Sequence, residues 1–337
     1  MGLFDAFKPK NKINNNTNND FQIENGVLVK YKGTNTEIEI PSSVKSIGRM
    51  AFSNCTSLTS ITIGASVTSI ADFAFATCMS LKQIKVAESN VNYKTIDGNL
   101  YSKNGKELLR YAVGKNDTSF MIPKIVTDIG SGALANATSL TSITIPNSVS
   151  YIGIESFYGC KSLKSITIPN AVKSIGDSAF EYCTSLSTLT ILNATVIIGA
   201  RAFCDCKELS SVMLGNSVTN IGEGAFQNCV ELRSLIIPNS VTSIMDYSFR
   251  CCYSLTKVII PNTVLSIGEG AFIRCEAISS IDLPDSIVSI GDSAFAGCIS
   301  LERITLPRSL EDFGEDVFED CDNLETIINR SRVRIDY

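Results

Sequence analysis

The chain repeats itself every 23 residues along most of its length. In the stretch Ile168–Thr190, IPNAVKSIGDSAFEYCTSLSTLT, core-type residues stand at Val172, Ile175, Ala179, Phe180, Cys183, Leu186 and Leu189, and Ile191 opens the next copy. One position of the unit reads Phe52, Phe75, Leu134, Phe157, Phe180, Phe203, Phe226, Phe249, Phe272, Phe295 and Phe318. Three residues on, another reads Cys55, Cys78, Ala137, Cys160, Cys183, Cys206, Cys229, Cys252, Cys275, Cys298 and Cys321. A period of this size marks a solenoid. Burying a large apolar side chain yields roughly 1.5–3 kcal/mol, while ordering a residue costs about 1.5 kcal/mol. One unit alone therefore has no net stability, and the stack must supply it, each coil covering its neighbour.

Within the unit the spacing changes character. From Ile175 to Leu186 the core positions step by three or four, the spacing of a helical turn; from Leu189 to Ile191 the step is two, that of a strand. Gly176 stands where a sharp bend is expected, with a positive φ that glycine tolerates. Pro169 ends the preceding strand. The fold class expected is a repeat solenoid of 23-residue coils, with short parallel β-strands and short 3-10 or helical turns.

The period also divides the chain. Residues 1–20, with asparagines crowding 11–20, read as a disordered leader. Residues 21–39 read as a β-hairpin cap, with Ile23, Val27 and Val29 flanking Asn25-Gly26, the residue pair of a two-residue hairpin turn. The solenoid spans 40–328. Its period breaks once, at 86–121, an enlarged irregular coil in which Asp97-Gly98 and Asn104-Gly105 predict a projecting hairpin. The remaining 329–337 form a tail, whose Arg330, Arg332 and Arg334 are placed to lie over the acidic last unit.

Composition excludes several classes of function. With 29 basic and 34 acidic residues the net charge is −5, which leaves no basic footprint for nucleic acid. No apolar run is long enough to cross a membrane as a helix, so no integral membrane segment is expected. The start, MGLFDAFKPKNK, does not read as a secretory signal, because basic residues follow its short apolar part instead of preceding it. A cytoplasmic location is the expectation, and the cell surface or secretion by a non-classical route the alternative. Histidine is absent, which removes Ser-His-Asp and Cys-His nucleophile systems and histidine metal sites. Ten of the 12 cysteines occupy one repeat position, so they read as a ladder of buried free thiols. Without paired CxxC motifs they do not read as zinc ligands.

The segment IPNSVTSI (Ile237–Ile244), followed by Ser248-Phe249, Cys252 and Ser254-Leu255, resembles the BspA-type leucine-rich repeats. The resemblance runs from Ile40 to Ile328 and takes in ENGVLVKYKG (Glu24–Gly33) and the irregular coil at Asn90–Ala112. It implies a curved, right-handed leucine-rich-repeat superhelix with short parallel strands on one face. It also implies protein–protein interaction, in several members as surface adhesins, with no catalytic residues and no cofactor.

The functional expectation is a non-enzymatic scaffold that binds a protein partner, with self-association open as one form of it. The alternative is a cell-surface adhesin for host or neighbouring-cell proteins. An enzyme would need paired carboxylates, and only Asp282 stands at an outward strand position. Alternation singles out a surface for binding. The second outward strand position reads Thr62, Lys85, Thr144, Thr167, Thr190, Met213, Ile236, Ile259, Asp282, Thr305 and Ile328. Met213, Ile236 and Ile259 replace the polar row in consecutive coils. Ser211, Ser234 and Lys257 form a polar margin, and Val230 and Tyr253 add apolar bulk near the strand entries.

Overall fold

The computed structural model describes residues 20–335, so the asparagine-rich leader, apart from Asp20, lies outside the described residues. Each regular coil carries a first strand, a second strand of only two residues, and a run of turns. In the central coil the strands are Ser165–Ile168 and Ser174–Ile175. First strands pair in parallel with their copies in the next coil, Ser165 with Thr188 and Ile168 with Ile191. Second strands do the same, Ser174 with Ile197 and Ile175 with Ile198. Two parallel ladders therefore climb the stack.

The three- and four-residue spacing from Ile175 to Leu186 belongs to linked turns, not to helix; no helix occurs among the described residues. The backbone gives the reason. Two residues per turn run take positive φ, such as Ser178 at 52° and Tyr182 at 60°, and a right-handed helix cannot contain them. In exchange, N–H groups of alternate residues reach the next coil: Glu155 to the Asp177 carbonyl at 3.0 Å, Phe157 to Ala179 at 2.8 Å, and Gly159 to Glu181 at 2.8 Å. This is a third ladder. Asn136, Asn228 and Gly159 suit the left-handed positions. Tyr182 and Arg201 are held there by the inter-coil bonds.

Gly176 serves a different purpose from the bend expected of it. It is not among the positive-φ residues. A Cβ there would stand 2.7 Å from the carbonyl carbon of Gly153 and the amide nitrogen of Ile154. The glycine is required because the coil below comes too close for any side chain. Gly153, Gly199, Gly222 and Gly291 meet the preceding backbone in the same way, at 2.8, 2.6, 2.5 and 2.6 Å.

The core is filled by the repeated apolar positions. Phe157, Phe180, Phe203, Phe226, Phe249, Phe272 and Phe295 are fully buried. Their rings stack, at 4.6 Å between Phe157 and Phe180 and 5.4 Å between Phe203 and Phe226. Tyr31 and Tyr111 take the same place in coils that lack the phenylalanine. Each donates its N–H to the coil above, Tyr31 to Ala51 and Tyr111 to Ala133, both at 2.8 Å, as Phe52 does to Ala74.

At the first end, Phe21–Glu24 and Val27–Tyr31 form an antiparallel hairpin turned by Asn25 and Gly26, both with positive φ. Its second strand starts the second-strand ladder, Leu28 pairing with Ile47. The hairpin expected to project at 86–121 does not project. Tyr93–Ile96, Asn99–Ser102 and Glu107–Arg110 make an antiparallel meander whose last strand pairs in parallel with Asp128–Ile129. Burial of Leu100, Tyr101 and Leu108 draws the meander into the sheet. At the other end Val333 and Ile335 of the tail pack on the core, and Arg334 lines a surface recess with Glu315, Asp316 and Glu319.

The strand ladders stop at the enlarged coil, and among the regular coils Lys257–Ile259 does not pair with Ser280–Ile281; one further level is open in both strand ladders. Ser211–Met213 does not pair with Ser234–Ile236, and Asn220–Ile221 does not pair with Ser243–Ile244. Both strand ladders are open between the same two coils. The turn ladder persists there, with Gly224 N–H to Asp246 O at 2.9 Å, Phe226 to Ser248 at 2.9 Å and Asn228 to Arg250 at 2.8 Å. Met245 stands at this seam in the place that Gly176, Gly199 and Gly222 hold in other coils.

Candidate functional site

The outward strand row is where the sequence singled out a surface. Met213 is 62% exposed, Ile236 65% and Ile259 44%. Between them the inward residues Val212, Leu235 and Val258 pack on the core. Ile236 and Ile259 are register partners. Met213 pairs with Thr190 on the other side of the seam. The strands bearing Met213 and Ile236 remain neighbours without a hydrogen-bonded ladder. The apolar row is thus continuous in position and divided in backbone.

Ser211, Ser234 and Lys257 are exposed beside it. Val230 and Tyr253 occupy equivalent places one coil apart, Val230 half-buried and Tyr253 exposed. The structure turns Tyr253 toward the run of turns: the Arg274 guanidinium lies over its ring at 5.7 Å. Its hydroxyl is pushed up by a hydrogen bond with the Cys251 thiol and by burial. Asp282 is exposed, at the same outward position of the next coil. Met121 was missed by the sequence reading. It ends the strand Ser119–Met121, pairs with Thr144 and is 70% exposed. It stands in the outward row, but the break in period at 86–121 hides its place in the count.

The cysteine position is a ladder of free thiols. Each buried S–H donates to a backbone carbonyl in the coil below, Cys183 to Phe157 at 3.2 Å, Cys206 to Phe180 at 3.3 Å and Cys229 to Phe203 at 3.3 Å. Cysteine suits the place because it is small, apolar and still a weak donor. Burial pushes the Cys183, Cys206, Cys229 and Cys275 thiols well up, so they stay protonated. Cys55 is the exception. It is half-buried, and the hydrogen bond from Cys78, with the Lys30 ammonium nearby, lowers its pKa against the opposing effect of burial. Thiolates, not thiols, are alkylated. Iodoacetamide on the native protein at mildly alkaline pH is therefore expected to label Cys55 first and leave Cys160, Cys183, Cys206 and Cys229 intact until unfolding. Peptide mapping that found those four labelled in the folded protein would contradict the buried-thiol assignment.

A cluster that could hold a metal ion lies on the turn side. Glu181, Cys204 and Asp205 bring one ligand atom each within 4.8 Å of one another. The cluster already has a cation, since Arg201 binds the Glu181 carboxylate at 2.6 Å. Burial lifts the Cys204 thiol to about 12, and its hydrogen bond to Asp205 adds to that rise. The group reads as a partly buried hydrogen-bond network closed by Arg201.

The two ladders, the stacked phenylalanines and the turn ladder define a leucine-rich-repeat solenoid. The family model for the BspA type leucine rich repeat region matches residues 23–108, 111–233 and 219–336, in six copies, and the chain belongs to this family. A leucine-rich repeat protein from Eubacterium ventriosum is 29% identical over 77% of this chain, with a TM-score of 0.62; the match covers 64% of that chain's length. One from Bacteroides ovatus is 28% identical over 91% of each chain, with a TM-score of 0.56. A leucine rich cell surface protein from Faecalibacterium prausnitzii is 28% identical over 90% of each chain, at a TM-score of 0.48. Comparison with curated proteins gives no match. Among the described residues, no helix is long and apolar enough to cross a membrane.

Proposed function

We propose that the chain is a non-enzymatic binding scaffold whose outward strand row at Met213, Ile236 and Ile259 receives a protein partner. The observation that carries this reading is the exposure of three large apolar side chains in consecutive coils, at positions where Thr144, Thr167 and Thr190 stand in the coils before them. β-Branched residues do favour strands, but threonine meets that need at no apolar exposure, and methionine does not meet it at all. A contiguous apolar row with the polar margin of Ser211, Ser234 and Lys257 has the layout of an interaction site, an apolar centre within a polar rim. Tyr253 and Val230 lie toward the turn side and would extend the contact there.

The test is the triple substitution of Met213, Ile236 and Ile259 to threonine. The variant is expected to keep the parent's circular dichroism and melting temperature, because none of the three side chains is buried. Self-association by sedimentation, or retention of a partner, is expected to be lost. A folded variant that associates as the parent does would overturn the reading, and so would one that fails to fold.

A further inference from the structure

The cysteine ladder is not uniform. Every ladder cysteine from Cys78 onward donates its S–H to the carbonyl of the residue 26 places earlier, as Cys78 does to Phe52 at 3.0 Å and Cys321 to Phe295 at 3.2 Å. Cys55 donates to no carbonyl among the described residues. The coil below it is the hairpin cap, an antiparallel pair without the run of turns that the regular coils carry. Cys55 is also half-buried, whereas the ladder above it is sealed as far as Cys321 at the other end.

Cys78 is the next rung, and the one after it is Ala137, beyond the enlarged coil. Cys55 and Cys78 are therefore a pair set apart from the run that resumes at Cys160. Their coils are in register: the Phe52 N–H bonds the Ala74 carbonyl at 2.9 Å, the Phe52 and Phe75 rings stack at 5.4 Å, and Ser60 pairs with Gln83. Coils stacked in this way stand about 4.8 Å apart, inside the Cα separation that a disulfide spans, about 4.4–6.8 Å. The two thiols lie close enough to hydrogen-bond each other. Their chemistry differs. Cys78 is buried, and its bond with Cys55 and its burial both raise its pKa. Cys55 is lowered by the Cys78 hydrogen bond against the effect of burial, and the Lys30 ammonium adds to the fall. That ammonium is anchored two residues away, on the Ser53 carbonyl at 3.1 Å and its hydroxyl at 2.8 Å.

Oxidation by peroxide starts at a thiolate that solvent can reach, and it stays reversible where a second cysteine stands beside it. We propose that Cys55 and Cys78 are a site of oxidation by hydrogen peroxide, with Cys55 the attacking sulfur and Cys78 the resolving one. The Cys55 thiolate attacks one peroxide oxygen. The S–O bond forms as the O–O bond breaks, the sulfur gives up two electrons, and hydroxide leaves to take a proton from solvent. The Cys78 sulfur then displaces the remaining oxygen from Cys55. The S–S bond forms, the S–O bond breaks, and the Cys78 proton leaves with the hydroxide as water. Ala137 in the next rung gives this disulfide no third thiol to exchange with.

Titration of the reduced protein with hydrogen peroxide, followed by blocking of free thiols and non-reducing peptide mapping, tests it. A Cys55–Cys78 disulfide within one chain is expected as the first product. Cys321 is the internal control. It is half-buried too, but it donates to Phe295, and burial raises it to about 11, with Asp320 and Asp322 adding to the rise. Its smaller thiolate fraction is expected to make it slower than Cys55 by about tenfold or more. Cys78→Ala, the residue this ladder uses at Ala137, is expected to stop at the Cys55 sulfenic acid, trapped with dimedone. Cys55→Ala is expected to leave Cys78 reduced at the peroxide concentration that converts the parent. Mapping of the parent needs no variant and decides the matter should either variant fail to fold. Oxidation of Cys321 as fast as Cys55 would overturn the assignment, since exposure alone would then set reactivity. So would a disulfide between two copies, over-oxidation of Cys55 beside a reduced Cys78, or an unreacted Cys55.

Discussion

Replacing Phe226 with alanine is expected to cost about 3–5 kcal/mol, the range for losing a large aromatic from a packed core. The ring is fully buried and stacked between Phe203 at 5.4 Å and Phe249 at 5.8 Å. Its position makes the loss larger in consequence than at Phe157. Phe226 and Phe249 face each other across the seam, where both strand ladders are open and the turn ladder, core packing and a few further bonds such as Glu231 N–H to Lys207 O join the coils. In a solenoid, stability is a sum of coil terms and nearest-neighbour interfaces, so weakening an interface whose strand ladders are already open is expected to divide the melt. Thermal unfolding of Phe226→Ala should start lower and broaden or split, while Phe157→Ala should shift as one transition. Hydrogen exchange should show protection lost first on the two sides of the seam. A Phe226→Ala variant with the parent's melting temperature would contradict the packing role of the ring.

Gly176→Val is the second large effect expected. The valine Cβ would lie 2.7 Å from backbone atoms of Gly153 and Ile154, which cannot turn aside as a flexible side chain can. Overpacking by a few methyl groups costs about 1–3 kcal/mol and at times more. Here the coil must also shift as a whole, which endangers the pairing of Ser174–Ile175 with both its neighbours. The chain contains its own comparison. Met245 holds this place in one coil, and there the second-strand ladder is open. Ala71 holds it near the cap and keeps its bond to Ile47 at 2.9 Å. There the packing is looser, for a Cβ on Gly48 in the coil below would find 3.0 Å. Met245→Gly is accordingly expected to close the ladder and raise the melting temperature. Melting curves of the two variants decide it: a Gly176→Val protein as stable as the parent would show that the close approach does not constrain the stack.

The seam also bears on the proposed binding row. Met213 belongs to the ladder before it, and Ile236 and Ile259 to the ladder after it. A partner gripping all three side chains would bridge the two parts and add a contact where both strand ladders are open. Binding there is expected to stabilise the chain by mass action.

The repeat made the coil legible because a residue recurring every 23 positions must meet the same surroundings each time. That is why the buried places of Phe180, Cys183, Leu186 and Leu189 and the outward face of Thr167, Met213 and Ile236 could be read without coordinates. It left open what depends on the coil next door. Ser174–Ile175 is too short to show alternation, and its only partners are copies 23 residues away, so the second ladder is invisible in the unit itself. Gly176 could be recognised as obligatory, but a positive φ and a close backbone predict the same residue, and only the stacked coils distinguish them. The meander at 93–110 has no second copy to reveal its register; burial of Leu100 and Leu108 against neighbouring coils draws it into the sheet. The same holds for Arg110. In the sequence it is one basic residue among 29. It becomes a buried guanidinium with two nitrogens unpartnered among the described residues only because the meander, which has no second copy, folds it into the stack.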